Sequence, residues 1–467
     1  MRLVTKKIIT DALPASVTEV FSKLENPSIL GGNDGNCTAN RFSVWAANPV
    51  ETFQFNTGER GFFEKLNSEL KKYQLDSVRE DFPKGMFACG WIGYFSYDLG
   101  RHIEKVPEGS VDDLGLPLVR LCFYDRAVCY DRIEKSWWLN ALELDSDNSA
   151  DKKICDMAEL LRQAENTVVD NIETGDLHAI DVSSLCSNMT KDYYMNAIDK
   201  TRRYIYDGEV YQINFSQRFQ CQYDKPAINL YHWQNKYNPS PYAAFIGAGD
   251  HSIVSASPEM FISIDGDTIS TKPIKGTRRR FTGIPRQDEI NKTNFTELVE
   301  SEKDQAELNM IIDLERNDLT RICRYGTINV TQPRTIEEYP TVYHAVATIE
   351  GKLNSHYDHC DILKAIFPGG SITGAPKIRS MEIIDELEPT RRSVYTGSIG
   401  FIGVDGNVCL NIAIRTVIIK DDSAFVQTGG GIVADSKPDL EWEETITKAR
   451  ALLAGIKAVQ GNAKVTK

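Results

Sequence analysis

The chain has 467 residues, of which 41% are hydrophobic and 25% are charged, a balance typical of a globular protein with a sizeable core. The formal net charge of −13 argues against a general binder of nucleic acid or of anionic membranes, since either would need a basic surface. No apolar run has the length of a membrane-spanning helix, the N-terminal residues lack the apolar stretch of a signal peptide, and the cysteines form neither CxxC pairs nor a zinc-site spacing. We therefore expect a cytoplasmic protein with reduced thiols.

The first part of the chain is predicted to be rich in β-strands. The segments "FACGWIGYFSYDLG" and "LPLVRLCFYDRAVCYD" are apolar runs with glycine turns. The polar stretch 142–153, a helical pattern and an irregular stretch follow them. We predict a boundary between about 150 and 188 from this change in composition.

Beyond this boundary, strand and helix patterns are mixed. "MTKDYYMNAIDKTRRYIYDG" has helical spacing and a threonine cap, whereas "EVYQINFSQRFQCQYD" alternates as a strand does. "HSIVSASPEMFISIDGDTIST" predicts two strands around a Ser-Pro break and a hairpin at Asp265-Gly266. The absence of a regular βαβ order indicates the α+β class.

Lys275, in "ISTKPIKGTRRR", is the first candidate for chemistry. Pro273 restricts the backbone before it, and Gly276 permits a close approach by a ligand. The arginines at 278–280 are expected to lower the pKa of the Lys275 amine, and a neutral amine is a nucleophile. The alternative is a solvated lysine in a turn.

Glu259, in "SASPEMF", lies sixteen residues upstream of Lys275. If the strands between them pair through the Asp265-Gly266 turn, the two side chains come close together, and Glu259 is suited to protonate a leaving hydroxyl group. The alternative is a carboxylate in solvent at a strand end.

Two predicted helices each present carboxylates on one face. In "EKDQAELNMIIDLERND", Asp304 and Glu307 are three residues apart, and the expected apolar stripe consists of Ala306, Met310, Ile311 and Leu314.

In "DLEWEETITKAR", Glu441, Glu444 and Lys448 share a helix face at intervals of three and four. Carboxylates from two helices that meet over one cleft could hold Mg²⁺ beside an anionic ligand. Each cluster alone could equally be a solvated face.

Two glycine-rich loops and two buried basic residues complete the candidates. "FPGGSITGAPKIRSMEIIDELEP" leads through Gly374 to a helix, whose first N–H groups would face the loop, and "AFVQTGGGIVADS" is predicted to end a strand in three glycines. Arg415 lies in the apolar run "VCLNIAIRTVIIK", which predicts a strand, and there it needs a carboxylate partner from a ligand or from the protein. His344, in "YPTVYHAVATIEG", is by default a hydrogen-bonded core histidine.

Seven segments resemble, in order, the motifs of the chorismate-utilising enzymes, a family that includes anthranilate, isochorismate, salicylate and aminodeoxychorismate synthases. They are "SASPEMF", "TKPIKGT", "KDQAELNMIIDLERNDL", "FPGGSITGAPKIRSMEIIDELEP", "YTGSIGF", "IAIRT" and "GGGIVADS…EWEET". The resemblance implies an α+β fold in which two large antiparallel sheets form a sandwich with helices outside. It further implies that residues 1–150 contribute to the same sandwich as a chorismate-binding catalytic region at 188–467.

The lysine of "PIKGT" distinguishes branches of this family, because anthranilate synthases carry alanine in "PIAGT". The resemblance to the lysine-bearing branch implies that Lys275 attacks C2 of chorismate while the C4 hydroxyl departs, with Glu259 as general acid. Ammonia then attacks C4 and expels the lysine, which gives 4-amino-4-deoxychorismate, the precursor of 4-aminobenzoate and folate. Anthranilate synthesis is the nearest alternative, and a non-catalytic chorismate-binding subunit is a second one.

The resemblance also implies roles for the remaining candidates. Glu307 and Glu444 match Mg²⁺ ligands, with Asp304 and Glu441 in support. The residues that match the surface around the substrate are Arg415, Tyr395, Gly429, Gly430, Lys448, His344, Thr373, Gly276 and Thr277. Gln212 replaces the water-activating lysine of isochorismate and salicylate synthases, which disfavours addition of water.

Two further expectations follow from the resemblance. No glutaminase motif is present in the sequence, so ammonia is expected from a separate glutamine amidotransferase subunit. Relatives bind tryptophan in an N-terminal pocket, but the stretch at 24–49 lacks their Leu-Leu-x-Ser pattern, and we expect no tryptophan there.

Overall fold

The computed structural model describes residues 1–32, 40–75, 82–145, 149–169, 172, 186–281, 283 and 285–461. Its strands form two large antiparallel sheets of twelve and ten strands. The twelve-stranded sheet contains, in spatial order, β1 (Arg2–Ile8), β8 (Ser136–Glu143), β7 (Arg126–Asp131), β3 (Phe42–Ala46), β2 (Ser28–Leu30), β11 (Tyr242–Gly247), β12 (His251–Ser257), β21 (Thr416–Lys420), β22 (Ser423–Ile432), β10 (Gln212–Gln222) and β18 (Gly374–Ala375), and β9 (Cys186–Ser187) also pairs with β10.

The ten-stranded sheet lies opposite and carries the predicted hairpin. It contains, in spatial order, β15 (Ile274–Arg279), β17 (Val342–Lys352), β14 (Thr268–Lys272), β13 (Met260–Asp265), β20 (Val408–Asn411), β19 (Ser398–Gly403), β5 (Gly90–Phe95), β6 (Val119–Tyr124) and β4 (Glu51–Phe55), and β16 (Asn329–Glu338) also pairs with β17.

Helices cover the outer faces of both sheets. They are α1 (Pro14–Phe21), α2 (Phe62–Lys72), α3 (Ala150–Glu165), α4 (Lys191–Tyr206), α5 (Ala227–Tyr237), α6 (Gln287–Glu300), α7 (Glu302–Thr320), α8 (His359–Ile366), α9 (Lys377–Leu387) and α10 (Pro438–Gln460). In the described part of the chain, none of them combines the length and the apolar character needed to cross a bilayer.

Three apolar clusters explain this layering. Leu30 and Val44 of one sheet pack with Ile92 and Ile399 of the other in the interior of the sandwich. A second cluster joins the outer face of the twelve-stranded sheet to α1, α3, α5 and α10, and a third joins the other sheet to α2, α7 and α8. Each sheet thus buries both faces, and the predicted α+β sandwich with helices outside is confirmed.

Local signals of the sequence account for several of these elements. The Thr190 hydroxyl accepts a hydrogen bond from the Tyr193 N–H at the start of α4, as the threonine cap predicts. The β13–β14 hairpin turns at Gly266, which has a φ of 59°. Strands that precede residue 150 take part in both sheets, while the boundary between 150 and 188 stays a prediction, because 170–171 and 173–185 lie outside the described residues.

The apolar stripe predicted for α7 is partly wrong, since Ile311 is buried and Met310 and Leu314 are half-buried, but one predicted residue is not. Ala306 is exposed, whereas the buried face consists of Leu308, Ile311, Ile312, Glu315, Asp318 and Leu319. The prediction assigned inward positions by hydrophobicity alone, and the helix instead turns two carboxyl groups into the protein.

A cavity of about 170 Å³ lies between the sheets and is lined by Leu30, Phe42, Tyr242 and Met260 among others. Part of the stretch expected not to bind tryptophan borders this cavity. Residues 33–39 of that stretch lie outside the described residues, so the expectation stays a prediction.

Candidate active site

Lys275 sits at a bulge in β15. This strand pairs with β17 at Ile274 and again at Thr277, and the register shifts between these two positions. Gly276 has a φ of 93°, and a Cβ atom there would lie 2.9 Å from Cγ of Asp304. Glycine is therefore required by both its backbone conformation and the close approach of α7. A bulge of this kind redirects the side chain next to it.

The side chain of Lys275 is half-buried and has no counterion in contact. Among the described residues, no carboxylate forms a salt bridge with it within 4.0 Å, although the carboxylates of Glu307, Glu259 and Glu444 lie near enough to affect its charge. Burial lowers the pKa of Lys275, Glu307 and Glu259 oppose the change, and the nearby Lys448 adds to it. The neutral, nucleophilic form of the amine is therefore easier to reach than in a solvated lysine.

The predicted physical reason for this shift needs correction. Arg278 donates to the Asp304 carboxylate at 3.0 Å, and Arg280 donates to the backbone carbonyl of Tyr339. Arg279 lies over the ring of Phe281 and is exposed. Along a strand, alternate side chains point to opposite faces, so a run of arginines cannot crowd one amine. Burial and Lys448 lower the pKa instead.

The Glu259 side chain lies next to the backbone of the residue that precedes Lys275. It is only 5% exposed, its carboxyl group accepts the N–H of Ile274, and the Ser371 hydroxyl donates to its Oε1 at 2.7 Å. Burial raises the pKa of Glu259, while Ser371 and Lys275 oppose the rise. Both pKa values thus shift in the direction that general acid catalysis beside an amine nucleophile requires.

Arg415 does not lie within a strand, in contrast to the prediction. It occupies a bend between β20 and β21 with a φ of 50°. Burial lowers the pKa of its guanidinium group to about 10, and Glu259 opposes the change. Its side chain has no hydrogen-bond acceptor among the described residues, so it can bind a ligand carboxylate.

His344 presents one unpartnered nitrogen. Its Nδ1 lies 2.8 Å from Oγ1 of Thr277, whereas its Nε2 is buried and has no hydrogen-bond partner within the described part of the chain. Burial, with the charge of Arg415, places the pKa of His344 well below its usual value. The imidazole is therefore neutral and leaves Nε2 for a ligand group.

The glycines at 429–431 lie at the end of β22, which extends one residue further to Ile432, so the predicted strand ending in three glycines is confirmed. Each pairs with β10, and the absence of a side chain at Gly430 lets α10 approach: a Cβ atom there would lie 3.3 Å from Oε2 of Glu441 and 3.5 Å from Oε1 of Glu444. Lys448 joins the same group, since it pairs with Glu444 at 2.7 Å and donates to the carbonyl of Gly429 at 2.9 Å.

Carboxylates of α7 and α10 act on each other across the site. Burial raises the pKa of Glu307, and Glu444 adds to that rise. Asp304 is paired with Arg278, and Glu441 accepts a hydrogen bond from Ser436. No group of three or more potential metal ligands occurs among the described residues. Mg²⁺ commonly uses one or two carboxylates together with water and ligand oxygens, so Glu307 and Glu444 fit a magnesium site that an anionic ligand completes.

The remaining predicted residues lie on the β10 side of the site. The Thr373 hydroxyl is fully buried and donates to the Gly369 carbonyl, so it shapes the turn. Tyr395 is buried, and burial raises the pKa of its hydroxyl. Gln212 is 2% exposed, and its Oε1 has no hydrogen-bond partner in the described residues.

Sequence reasoning missed a buried ion pair behind the site. Arg392 pairs with Glu388 through two hydrogen bonds of 2.9 and 2.7 Å. It also donates to the carbonyls of Ile372 and Asn214, which ties the turn at 370–372 to β10. Glu388 and Arg392 are four residues apart in "ELEPTRRS", the spacing of an ion pair on a helix. Pro389 lies between them and ends the helical pattern, so the sequence did not predict the pair.

Glu315, on the buried face of α7, leads to a prediction about pH and stability. Burial raises its pKa from 4.5 to about 8, with Asp318 adding to the rise and Lys377 opposing it. Between these two values the unfolded chain has lost a proton that the folded protein keeps, so the free energy of unfolding falls as pH rises, by on the order of 4 kcal/mol in total. We expect Glu315→Gln, which cannot ionise, to raise the Tm relative to the wild type more at about pH 8.5 than at about pH 5.

Calorimetry at the two pH values measures this difference. Asp313→Asn is the matched control, because the Asp313 side chain is 75% exposed on the same helix. An equal Tm difference at both pH values would contradict the prediction.

Comparison with known proteins agrees with this geometry. A family described as chorismate binding enzyme matches residues 33–454. The chain belongs to this family. Aminodeoxychorismate synthase component 1 of Bacillus subtilis (strain 168) is 38% identical, with 91% of each chain covered. Anthranilate synthase component 1 of Acetivibrio thermocellus is 35% identical over 97% of this chain and 94% of its own.

A solved member of the family has the same fold. Anthranilate synthase component I from Streptococcus pneumoniae TIGR4 superposes with a TM-score of 0.75 at 30% identity, covering 90% of this chain and 93% of the other. The chain is thus a chorismate-binding family member over almost its whole length. Both branches are similarly close to it by identity, so its residues have to distinguish them.

Proposed function

We propose that this protein aminates chorismate at C4 with ammonia to give 4-amino-4-deoxychorismate, on the route to 4-aminobenzoate and folate. The observation that carries the proposal is the half-buried Lys275 amine, unpaired among the described residues and with a lowered pKa, next to the Glu259 carboxyl group, whose pKa burial raises. The similarity to aminodeoxychorismate synthase component 1 supports the same assignment.

The reaction follows from these two groups. The neutral Lys275 amine forms a bond to C2 of chorismate, the ring double bonds shift, and the C4–O bond breaks. Glu259 supplies the proton with which the hydroxyl group leaves as water. Ammonia then forms a bond to C4, the double bonds shift back, and the C2–N bond to Lys275 breaks. The proton lost by the new amine returns to Glu259 and Lys275 leaves as the neutral amine, so the site is restored; in the net reaction the C4 hydroxyl is replaced by an amino group, one ammonia is consumed and one water is released.

The substrate would be bound by side chains of the site that carry a charge or have an unused hydrogen-bonding atom. Arg415 would bind one carboxylate, and His344 Nε2 would donate to or accept from the ring or enolpyruvyl oxygens. Glu307 and Glu444 would hold Mg²⁺ against the other carboxylate, and a magnesium ion there supplies neutralisation of that negative charge. Lys448, now paired with Glu444, lies beside the same position.

Loss of either carboxylate should raise the magnesium requirement. For Glu307→Gln we expect the Mg²⁺ concentration at half-maximal activity to increase by about tenfold or more, because outer or inner ligands of a metal site typically contribute factors of this size. Titration of activity with MgCl₂, combined with isothermal calorimetry of Mg²⁺ binding in the presence of chorismate, measures the change.

Glu302→Gln is the control for this titration, since Glu302 is exposed on the first turn of α7. A Glu307→Gln variant with wild-type magnesium dependence would place the ion elsewhere.

Ammonia is proposed to come from a glutamine amidotransferase subunit. The names of the similar relatives, each a component 1, support a two-component assembly. We expect glutamine to support turnover only when the candidate partner is added, and ammonium salts to support it with this chain alone. Failure of glutamine to support turnover with any candidate glutaminase present, while ammonium salts do, would contradict the partner.

Anthranilate synthesis is the second candidate, because an anthranilate synthase component 1 is 35% identical over 97% of this chain. It too would aminate chorismate, but at C2 and with loss of pyruvate. The presence of Lys275 favours C4 amination, since the amine would occupy the C2 position that anthranilate synthesis needs free. Gln212 cannot act as a base toward water, which is consistent with ammonia as the nucleophile in either case.

The product distinguishes the two candidates. Incubation with chorismate, ¹⁵N-ammonium and Mg²⁺ should yield a nitrogen-labelled product that keeps the enolpyruvyl group, identified by mass spectrometry. Fluorescent anthranilate together with free pyruvate, formed without an added lyase, would overturn the proposal.

A further inference from the structure

A single turn connects the general acid to the far side of α7. Ser371, whose hydroxyl donates to Glu259 at 2.7 Å, is the middle residue of the 3₁₀ turn Gly370–Ile372. This turn follows α8 and is not part of either sheet. The orientation of the Ser371 hydroxyl therefore depends on what holds the turn.

The Glu315 side chain of α7 packs against this turn. Its Oε1 atom lies against Gly370, the residue directly before Ser371, and the interaction with the Gly370 N–H opposes the rise in the pKa of Glu315. A Cβ atom at position 370 would lie 2.5 Å from the Leu314 side chain and 3.3 Å from Oε1 of Glu315. Glycine at this position thus allows α7 to come close enough for the hydrogen bond.

We propose that Glu315 is a positioning residue for Glu259: by accepting the Gly370 N–H, it fixes the turn from which Ser371 donates its hydrogen bond to the general acid. Glu315 itself touches neither the substrate nor the reacting atoms. This inference deepens the proposed function and depends on the role of Glu259 in it.

The charges around Glu315 support a structural rather than an ionic role. Asp318 of the same helix is paired at 2.6 Å with Lys377, the first residue of α9, and Lys377 also donates to the Ile366 carbonyl. Glu259 is the third charged neighbour. With a pKa of about 8, the Glu315 carboxyl group is mainly protonated at neutral pH and adds little negative charge next to the general acid.

The consequence is a specific kinetic effect. If Glu315 loses its acceptor, the Gly370 N–H is left buried without a partner, and the turn can relax so that the Ser371 hydroxyl no longer meets Glu259. Substrate binding by Arg415 and by the α10 carboxylates does not depend on this turn. We therefore expect kcat to fall while the KM for chorismate stays within about twofold.

A double-mutant cycle tests this chain of contacts. The variants are Glu315→Leu, Ser371→Ala and the two combined, assayed with chorismate, ammonium and Mg²⁺. We expect each single variant to lower kcat by about tenfold, the effect of one lost hydrogen bond to an ionisable group, and the double variant to be no worse than Ser371→Ala. Glu315→Gln keeps a carbonyl acceptor for Gly370 and should restore most of the lost kcat.

Each outcome decides the question. Losses that multiply in the double variant, an unchanged kcat in Glu315→Leu, or a Glu315→Gln variant as slow as Glu315→Leu would overturn the inference. Should Glu315→Leu not fold, Glu315→Asp takes its place, since it keeps the carboxyl group but is one methylene too short to reach Gly370. Asp313→Asn, exposed on the same helix, controls for general effects on α7.

Failure of this inference can be told apart from failure of the proposed function. The product of the wild-type protein tests the function, and the cycle is run on whichever aminated product forms. If that product is 4-amino-4-deoxychorismate and the two losses multiply, only the role of Glu315 is wrong.

Discussion

Replacement of Lys275 with alanine is expected to reduce the formation of 4-amino-4-deoxychorismate by on the order of 1,000-fold or more, because the covalent route is removed entirely. The variant should keep its fold, since the Lys275 side chain forms no ion pair or hydrogen bond with the described residues.

Intact-protein mass spectrometry tests directly whether Lys275 forms a covalent adduct. Wild-type protein quenched with chorismate in the absence of ammonia should carry an adduct equal to chorismate minus water, located by digestion to the peptide containing Lys275, and the variant should carry none.

The matched control is Lys272→Ala. Lys272 ends β14, the strand that precedes β15 in the chain, and its amine lies 4.0 Å from the Glu337 carboxylate. We expect wild-type turnover and a wild-type adduct from this control. The Lys275 variant leaves C2 open to ammonia, so slow formation of a C2-aminated product is the expected residual activity. Unchanged formation of the C4 amine would exclude the covalent role.

Substitution of Glu259 by glutamine is expected to lower kcat by about 10²- to 10⁴-fold, the usual contribution of a general acid. Glutamine keeps the hydrogen bonds to the Ile274 N–H and to Ser371 but has no proton to transfer to the leaving hydroxyl group. The KM for chorismate should change little. Because burial raises the pKa of Glu259 and the protonated form is the active one, wild-type kcat should fall as pH rises through that pKa, and this alkaline limb should be absent from the variant.

Steady-state kinetics as a function of pH measures both effects. Glu338→Gln serves as the control, since the Glu338 side chain is 56% exposed on β16. If Glu259→Gln retained wild-type kcat, the proton would have to come from another group. If kcat fell but the alkaline limb persisted, a different residue would be titrating.

The amine and the acid are tuned by the same physical cause. Burial disfavours the charged form of each group, so it lowers the pKa of Lys275 and raises that of Glu259. A fully ionised Lys275–Glu259 pair would have neither a nucleophile nor an acid to offer. Within the described residues, Lys275 and Glu259 form no salt bridge. The charges of Glu307 and Lys448 also change the pKa of the Lys275 amine.

The sequence alone determined the family, the fold class and the local elements of this protein. Seven ordered motifs, the threonine cap of α4 and the Asp265-Gly266 hairpin depend on residues close together in the chain, and such short-range signals are readable without coordinates. The motif residues around Lys275 were named for the same reason.

Only the tertiary structure determined what surrounds those residues and what changes their pKa values. The cause of the lowered Lys275 pKa, the bend at Arg415 and the inward face of α7 with Glu315 all depend on which atoms pack together. Glu259 and Ser371 are 112 residues apart in the chain, and no periodicity links them. Burial and through-space electrostatics act between elements that meet only after folding, which is why spacing along the chain singled out the lysine but named the wrong cause, the arginines beside it, for its lowered pKa.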